Sequence, residues 1–313
     1  MTRAVVFAYH NVGVRCLSVL LQHGIDVRLV LTHEDNPNET IWFDSVKALA
    51  QKHAIETITP DDANSPDVVE KIRELEPDFI FSFYYRSMLK APLLAIPHYG
   101  ALNMHGSLLP KYRGRVPVNW AVIRGETQTG ASLHYMVEKP DAGDIVGQQT
   151  VPIGPDDTAF DVFGKVTDAA KQVLNSALPK LMLGKRIGMP QDLTQGNYFG
   201  GRKPEDGRID WRQSAADIHN LVRGVASPYP GAFFDLQDTR VKLFRTKHTS
   251  ENRIDSGSPG IVIENNKLHA LCGDGKLLEL VEIEIDGQQV DADRFYDHFG
   301  VQSHAQKIPF DPT

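Results

Sequence analysis

Cysteine is almost missing from this sequence. Cys16 and Cys272 stand alone among 313 residues. They can build neither a disulfide framework nor a cysteine-based metal site within one chain, and a reducing compartment fits. Long apolar runs are missing as well. The run at the start, through His10, is too short for a signal peptide, and no segment approaches the roughly 18 apolar residues of a membrane span. Positive charge is not in excess: the formal net charge is -7, which excludes a general attraction to nucleic acid. A cytoplasmic protein is expected, with no stable membrane insertion and no nucleic-acid partner. The common cofactor signatures are absent too. The first turn reads Tyr9-His10-Asn11-Val12-Gly13 where a dinucleotide site would need G-x-G-x-x-G. There is no P-loop and no H-E-x-x-H, and the 12 histidines show no metal-ligand spacing. His10, His23, His33, His53 and His98 read as surface or capping residues, and no metal is expected.

What is present is an ordinary globular composition, 41% hydrophobic and 23% charged, sufficient for one large domain or two ordinary ones. Strand signals at 4–8, 25–32, 55–58, 79–83 and 100–104 alternate with helical periodicity at 12–23, 45–53 and 67–75. That alternation indicates βαβ units and a parallel sheet. A helix is expected at 116–124, a strand at 129–136 with a hairpin or meander partner at 145–151, and one long helix or two over 158–183. Residues 193–207 are rich in Gly, Pro and polar side chains and read as a linker. A helix at 215–225 follows. Strands are then expected at 232–236, 240–246, 260–264, 267–272 and 276–284, with Asn265-Asn266 and Gly273-Asp274-Gly275 as turns. The fold class is therefore α/β. A Rossmann-like, open, mostly parallel sheet with helices on both faces (1–190) is joined by a linker (191–207) to a small β-rich, OB- or barrel-like C-terminal domain (208–313).

Chemistry concentrates after the strand at 100–104. Asn103 and His105 are two apart, so on a strand they share a face, and ligands of open α/β sheets bind at strand C-termini. For an isolated Asn-x-His the plainer reading is a turn residue and a hydrogen-bonded strand-end histidine. The context changes this, because Ser107 and a basic loop follow at once and Asp141 lies in a second loop, Pro140-Asp141-Ala142-Gly143. Asp141 reads either as turn chemistry or as a carboxylate that holds His105 charged or oriented. An amide for an oxyanion, a histidine for protons and an aspartate beside it form an acyl-transfer set without a protein nucleophile.

Asn103-x-His105 with Ser107-Leu108-Leu109-Pro110, then Arg113-Gly114, then Asp141-Ala142-Gly143-Asp144-Ile145, resembles the formyltransferases that use 10-formyltetrahydrofolate. The resemblance runs on through Arg208-Ile209-Asp210-Trp211 and Pro230-Gly231-Ala232-Phe233, similar to the start of that family's C-terminal domain. Within the family, Phe7-Ala8-Tyr9-His10, Phe81-Ser82-Phe83-Tyr84-Tyr85-Arg86 and the stretch from His105 to Arg115 resemble the formyltransferase domain of bifunctional polymyxin-resistance enzymes. Those act on UDP-4-amino-4-deoxy-L-arabinose in lipid A modification and carry a further decarboxylase domain. The present sequence stops at Thr313, so it is read as a piece of such a protein or as a stand-alone enzyme whose sugar is open.

The resemblance implies that Asn103 stabilises the oxyanion, that His105, when protonated, also donates to it and handles the proton, and that Asp141 favours the charged imidazole. It implies 10-formyltetrahydrofolate as co-substrate, held by Ser87, Met88, Leu89, Arg115, Val137, Glu138, Lys139, Pro140 and Asp141. Met88 and Leu89 would wall the pterin, although without the resemblance they read as core. The other substrate would be a nucleotide-linked amino sugar, with Tyr84, Arg86, Tyr112, Asn119, Trp120 and Arg202 as candidates for its surroundings. A homo-oligomer, or association with other sugar-pathway enzymes, is a further expectation. Two rivals stand beside this reading. A methionyl-tRNA formyltransferase would need clustered cations for phosphate, whereas residues 202–313 carry 14 Lys+Arg against 18 Asp+Glu, a net of -4. A catalytically silent folate or nucleotide-sugar binder would not need the Asn103/His105/Asp141 set.

Overall fold

The computed structural model describes residues 1–37, 39–249, 258–264, 266–300 and 307–310. Two compact units emerge: residues 1–117, 128–152 and 163–200 form the first, and 118–127, 153–162 and 201–313 the second.

The chain opens β1 (Arg3–Ala8), α1 (His10–Gln22), β2 (Asp26–Leu31), α2 (Val46–Lys52), β3 (Thr57–Ile58), α3 (Pro66–Glu74), β4 (Phe79–Phe83), α4 (Ala91–Leu94) and β5 (Gly100–His105). After a short β6 (Arg113–Gly114) and α5 (Pro117–Ile123) come β7 (Gln128–Tyr135), β8 (Ile145–Pro152), α6 (Ala159–Leu181) and β9 (Tyr198–Phe199). The main sheet runs β3-β2-β1-β4-β5-β7-β8. Its first five strands are parallel, and β7 and β8 are antiparallel.

Strands covered on both faces read as continuous apolar runs rather than alternating ones, and Val5, Val6, Phe7 and Ala8 are all fully buried. Val5, Phe7, Leu29, Leu31, Ile80 and Ala101 pack with Val68, Val69, Ile72 and Leu93 of α3 and α4. Ala8 instead faces α1 and α2, where a Cβ at Gly13 would meet both Ala8 and Val46. Order reverses between β1 and β4, the switch point of a Rossmann-like sheet. The expected long helix is one helix, α6, with Pro179 inside it.

The second unit carries α7 (Ala215–Val225), β10 (Ala232–Leu236), β11 (Thr239–His248), β12 (Gly260–Glu264), β13 (Lys267–Leu271), β14 (Leu277–Ile285), β15 (Gln288–Val290), α8 (Ala292–Phe299) and β16 (Ile308–Pro309). An antiparallel half-barrel runs β10-β11-β14-β13-β12-β16. Its core joins Ile218 and Val222 of α7 to Phe234, Leu243, Ile261, Leu278 and Phe295. The helix α8 was not expected. Asp291 caps it by accepting from the Arg294 N–H, and Gly300 closes it in the left-handed region. Asn265, assigned to a turn from the sequence, lies outside the described residues.

The stretch 193–207 is not a featureless tether. Residues 193–200 belong to the first unit, where β9 pairs with β6. Gly196 lies so close to the Pro110 carbonyl that a Cβ there would overlap it.

Candidate active site

The strand β5 ends in Asn103-Met104-His105. Met104 is buried on one face, and Asn103 and His105 share the other, as the two-residue period requires. The loop behind them is tightly held. Ser132 Oγ donates to the Ser107 carbonyl (2.6 Å) and accepts from the Leu109 N–H (3.1 Å). Gln148 Nε2 donates to the Leu109 carbonyl at 2.9 Å. The chain then turns at Tyr112, whose φ is 55°, and this aims the Tyr112 carbonyl at His105 Nε2, 2.8 Å away. A carbonyl only accepts, so Nε2 carries a proton and Nδ1 is the basic nitrogen of the neutral ring.

Asp141 faces that nitrogen. Its Oδ1 lies 3.6 Å from His105 Nδ1 and 3.5 Å from His134 Nε2, while Oδ2 accepts from the Gly114 N–H at 2.8 Å. The residue adopts φ 52°, a conformation that Asp and Asn tolerate better than most residues. Burial alone would raise its carboxyl pKa, but the two histidines and the Gly114 N–H hold it well below the usual carboxylate range. Gln191 Nε2 fastens the same loop by donating to the Asp141 carbonyl (3.0 Å) and the Gly143 carbonyl (2.6 Å).

Asn103, His105 and Asp141 are therefore gathered in one largely buried space. Three contributors were not identified from the sequence. His134 stands opposite Asn103 in the β5–β7 register, with its Nε2 3.1 Å from Asn103 Nδ2. Asn197 accepts the Tyr112 N–H through its side chain (2.7 Å) and the Arg113 N–H through its carbonyl (3.1 Å). Gln191 is the third. The available signal for His134 was its place in a strand flanked by apolar residues, but register between strands is not written locally.

The other candidates divide. Met88 and Val137 are open apolar side chains, 54% and 41% exposed, and Ser87, Glu138 and Lys139 lie in the same exposed segments. Pro140 is half-buried. Leu89 packs in the core, so its side chain forms no open wall. Arg115 reaches the Arg86 carbonyl at 3.5 Å, and Arg86 itself is gripped by both carboxylate oxygens of Glu39 (2.9 and 2.7 Å). Tyr112 is buried, stacked on Phe199 at 5.2 Å. Gly106 leaves room for Tyr84, because a Cβ there would overlap the Tyr84 hydroxyl. In the second unit, Asn119 donates to the Gly224 carbonyl (2.9 Å) and Arg202 lies over the Trp120 ring at 4.7 Å.

Two histidines expected at the surface are not free there. His10 is packed among Trp42, Phe43 and Phe163, and burial followed by the Arg86 charge pushes its pKa down to about 3. His33 stacks on Tyr85 at 4.1 Å and accepts from the Arg86 N–H. Among the described residues no group of three or more His, Cys, Asp or Glu could hold a metal ion, and no helix is long and apolar enough to cross a membrane.

Residues 4–178 match a family model described as formyl transferase, and residues 202–300 match the formyl transferase C-terminal domain. Among solved structures, an N-formyltransferase from Helicobacter canadensis in complex with folinic acid and dTDP-3-aminofucose is 19% identical, with TM-score 0.70, covering 93% of this chain and 100% of its own. WlaRD, a sugar 3N-formyl transferase solved with dTDP and 5-N-formyl-THF, is 18% identical, with TM-score 0.68 and coverage of 92% and 99%. A methionyl-tRNA formyltransferase from Clostridium thermocellum is 16% identical, with TM-score 0.57 and coverage of 91% and 99%.

Proposed function

This chain belongs to the formyl transferase family, and from that membership we propose that it moves the formyl group of 10-formyltetrahydrofolate onto the amine of a nucleotide-linked amino sugar. The acceptor we assign is the 4-amino group of UDP-4-amino-4-deoxy-L-arabinose. The observation that carries the reading is the convergence of Asn103, His105 and Asp141, with the His105 tautomer set by the Tyr112 carbonyl.

When bound, the folate supplies an activated formyl group on a nitrogen that can leave. Ser87, Met88, the Leu89 backbone, Arg115 and Val137 to Asp141 would hold it, and the open apolar side chains of Met88 and Val137 suit a flat aromatic ring. Asn103 donates one amide hydrogen to His134, and its other N–H, without an acceptor among the described residues, meets the oxygen as negative charge grows on it. His105 Nδ1 takes the proton that the attacking amine must lose. Asp141 stabilises the imidazolium so formed, and His105 passes the proton to the leaving nitrogen. Protonated His105 would be the second donor to the oxyanion, as expected from the sequence.

The choice of sugar rests on the similarity of Phe7-Ala8-Tyr9-His10 and of the stretch from His105 to Arg115 to the formyltransferase domain of ArnA, the bifunctional polymyxin-resistance enzyme. The acidic C-terminal region supports a small acceptor over tRNA. So does the tight fit of Gly106 against Tyr84, since tRNA enzymes tend to carry Ala at that place. The dTDP compounds in two of the related structures favour a dTDP-linked amino sugar as the second reading. The test is a panel of UDP- and dTDP-linked amino sugars and methionyl-tRNA, each incubated with 10-formyltetrahydrofolate and read by mass spectrometry for an added formyl group. Product on UDP-4-amino-4-deoxy-L-arabinose is expected. Product on a dTDP-sugar alone moves the acceptor, and product on methionyl-tRNA alone overturns the sugar reading.

A further inference from the structure

His134 is buried, 2% exposed, and both of its ring nitrogens are committed. Nδ1 lies 2.8 Å from the Tyr135 carbonyl, which can only accept, so Nδ1 carries the proton and Nε2 of the neutral ring offers a lone pair. The Asn103 side chain sits 3.1 Å from that lone pair. Only its NH2 group satisfies it, because with the amide turned over a carbonyl oxygen would face another acceptor. We infer that His134 is a positioning residue for formyl transfer. By accepting one hydrogen of the Asn103 amide it fixes which way the amide points, and so aims the second N–H at the forming oxyanion. Asp141 Oδ1 lies farther from His134 Nε2 than the Asn103 amide does, at 3.5 Å against 3.1 Å.

This inference rests on the reading of Asn103 as the oxyanion donor. An oxyanion donor is worth about 10²–10³ in kcat, and a donor free to turn over loses part of that. His134→Met, which fills the space without an acceptor, should lower kcat about 10- to 100-fold with KM for both substrates within about twofold. His134→Gln, which restores an acceptor oxygen, should recover most of the loss. In an Asn103→Ala background His134→Met should cost nothing further, since the group it orients is gone.

A His134→Met variant at wild-type kcat, or a loss that multiplies with Asn103→Ala, overturns the role. Two readouts do not depend on turnover. Nitrogen NMR of histidine-labelled wild-type protein should show His134 protonated at Nδ1, and the side-chain NH2 signal of Asn103 should shift towards that of a free amide in His134→Gln or His134→Met. An Nε2-protonated His134, or an unmoved Asn103 signal, refutes the inference. Absence of formyl transfer by the wild type, with the NMR result as expected, refutes the function instead.

Discussion

Replacing Asp141 separates its electrical role from its structural one. Asp141→Asn keeps a side chain tolerant of φ 52° and an oxygen for the Gly114 N–H, but removes the charge beside His105. Unpairing a buried ion costs about 3–5 kcal/mol. If about 3 kcal/mol of that bears on the imidazolium formed during reaction, kcat falls roughly 100-fold. Asp141→Ala loses the charge as well, pays about 1–2 kcal/mol for the left-handed backbone and leaves the Gly114 N–H unpaired for about 1–3 kcal/mol more. The two variants should therefore share a similar loss in formyl transfer, while Asp141→Ala melts roughly 5–15 °C below Asp141→Asn. Their acid behaviour should differ from that of the wild type. The Asp141 carboxyl is held below its ordinary 3.8, so its contribution to stability is fully present above that pH and is lost as pH falls through the lower folded-state value. The stability gap between wild type and Asp141→Asn should accordingly close in acid. Steady-state transfer assays with thermal unfolding across pH measure all three effects. An Asp141→Asn enzyme within threefold of wild-type kcat would refute the electrical argument, and equal melting temperatures for the two variants would refute the structural one.

Three further outcomes are expected. Asn103→Ala should lower kcat by about two to three orders of magnitude while folate binding, read by calorimetry, survives. His10 prefers to stay neutral in the folded state, with a pKa near 3 against an ordinary 6.5. The unfolded chain therefore binds the proton first as pH drops, and about 2 kcal/mol is lost by pH 5. His10→Phe should flatten that dependence in urea unfolding compared above the ordinary 6.5 and at about pH 5, and an unchanged slope would contradict the burial argument. Gly196→Ala should lower both Tm and kcat, because its methyl group displaces the segment that holds Tyr112 and Arg113. A variant with wild-type activity would show that the brace is dispensable.

Much of this was readable in the sequence, because periodicity is local. Residues 4–8 declared a buried strand through an unbroken apolar run, and the spacing of Asn103 and His105 placed them on one face. His134 was not readable, since its importance comes from standing across from Asn103, 31 positions away, in an antiparallel pairing. The 193–200 segment looked like a linker for the same reason. A two-residue strand carries no periodicity, and the side chain of Asn197 before it is consumed by a backbone N–H 85 positions earlier. His10 was misjudged because the rings that bury it arrive from residues 42, 43 and 163. The helix α8, in contrast, had its signals in plain view: Asp291, a Phe295-Tyr296-Phe299 stripe and Gly300.

The late segment around Asn197 and Gln191 has a consequence for how the molecule comes into being. Every strand of the main sheet is complete once residue 152 has been synthesised, yet the carbonyl that orients His105 and the loop that carries Asp141 are fastened by residues 191 and 197. On a chain emerging from its N-terminus the sheet can assemble well before these fasteners exist, and such distant contacts are the slow ones to form. A nascent protein thus passes through a stage in which the scaffold stands and its chemistry is still unarmed.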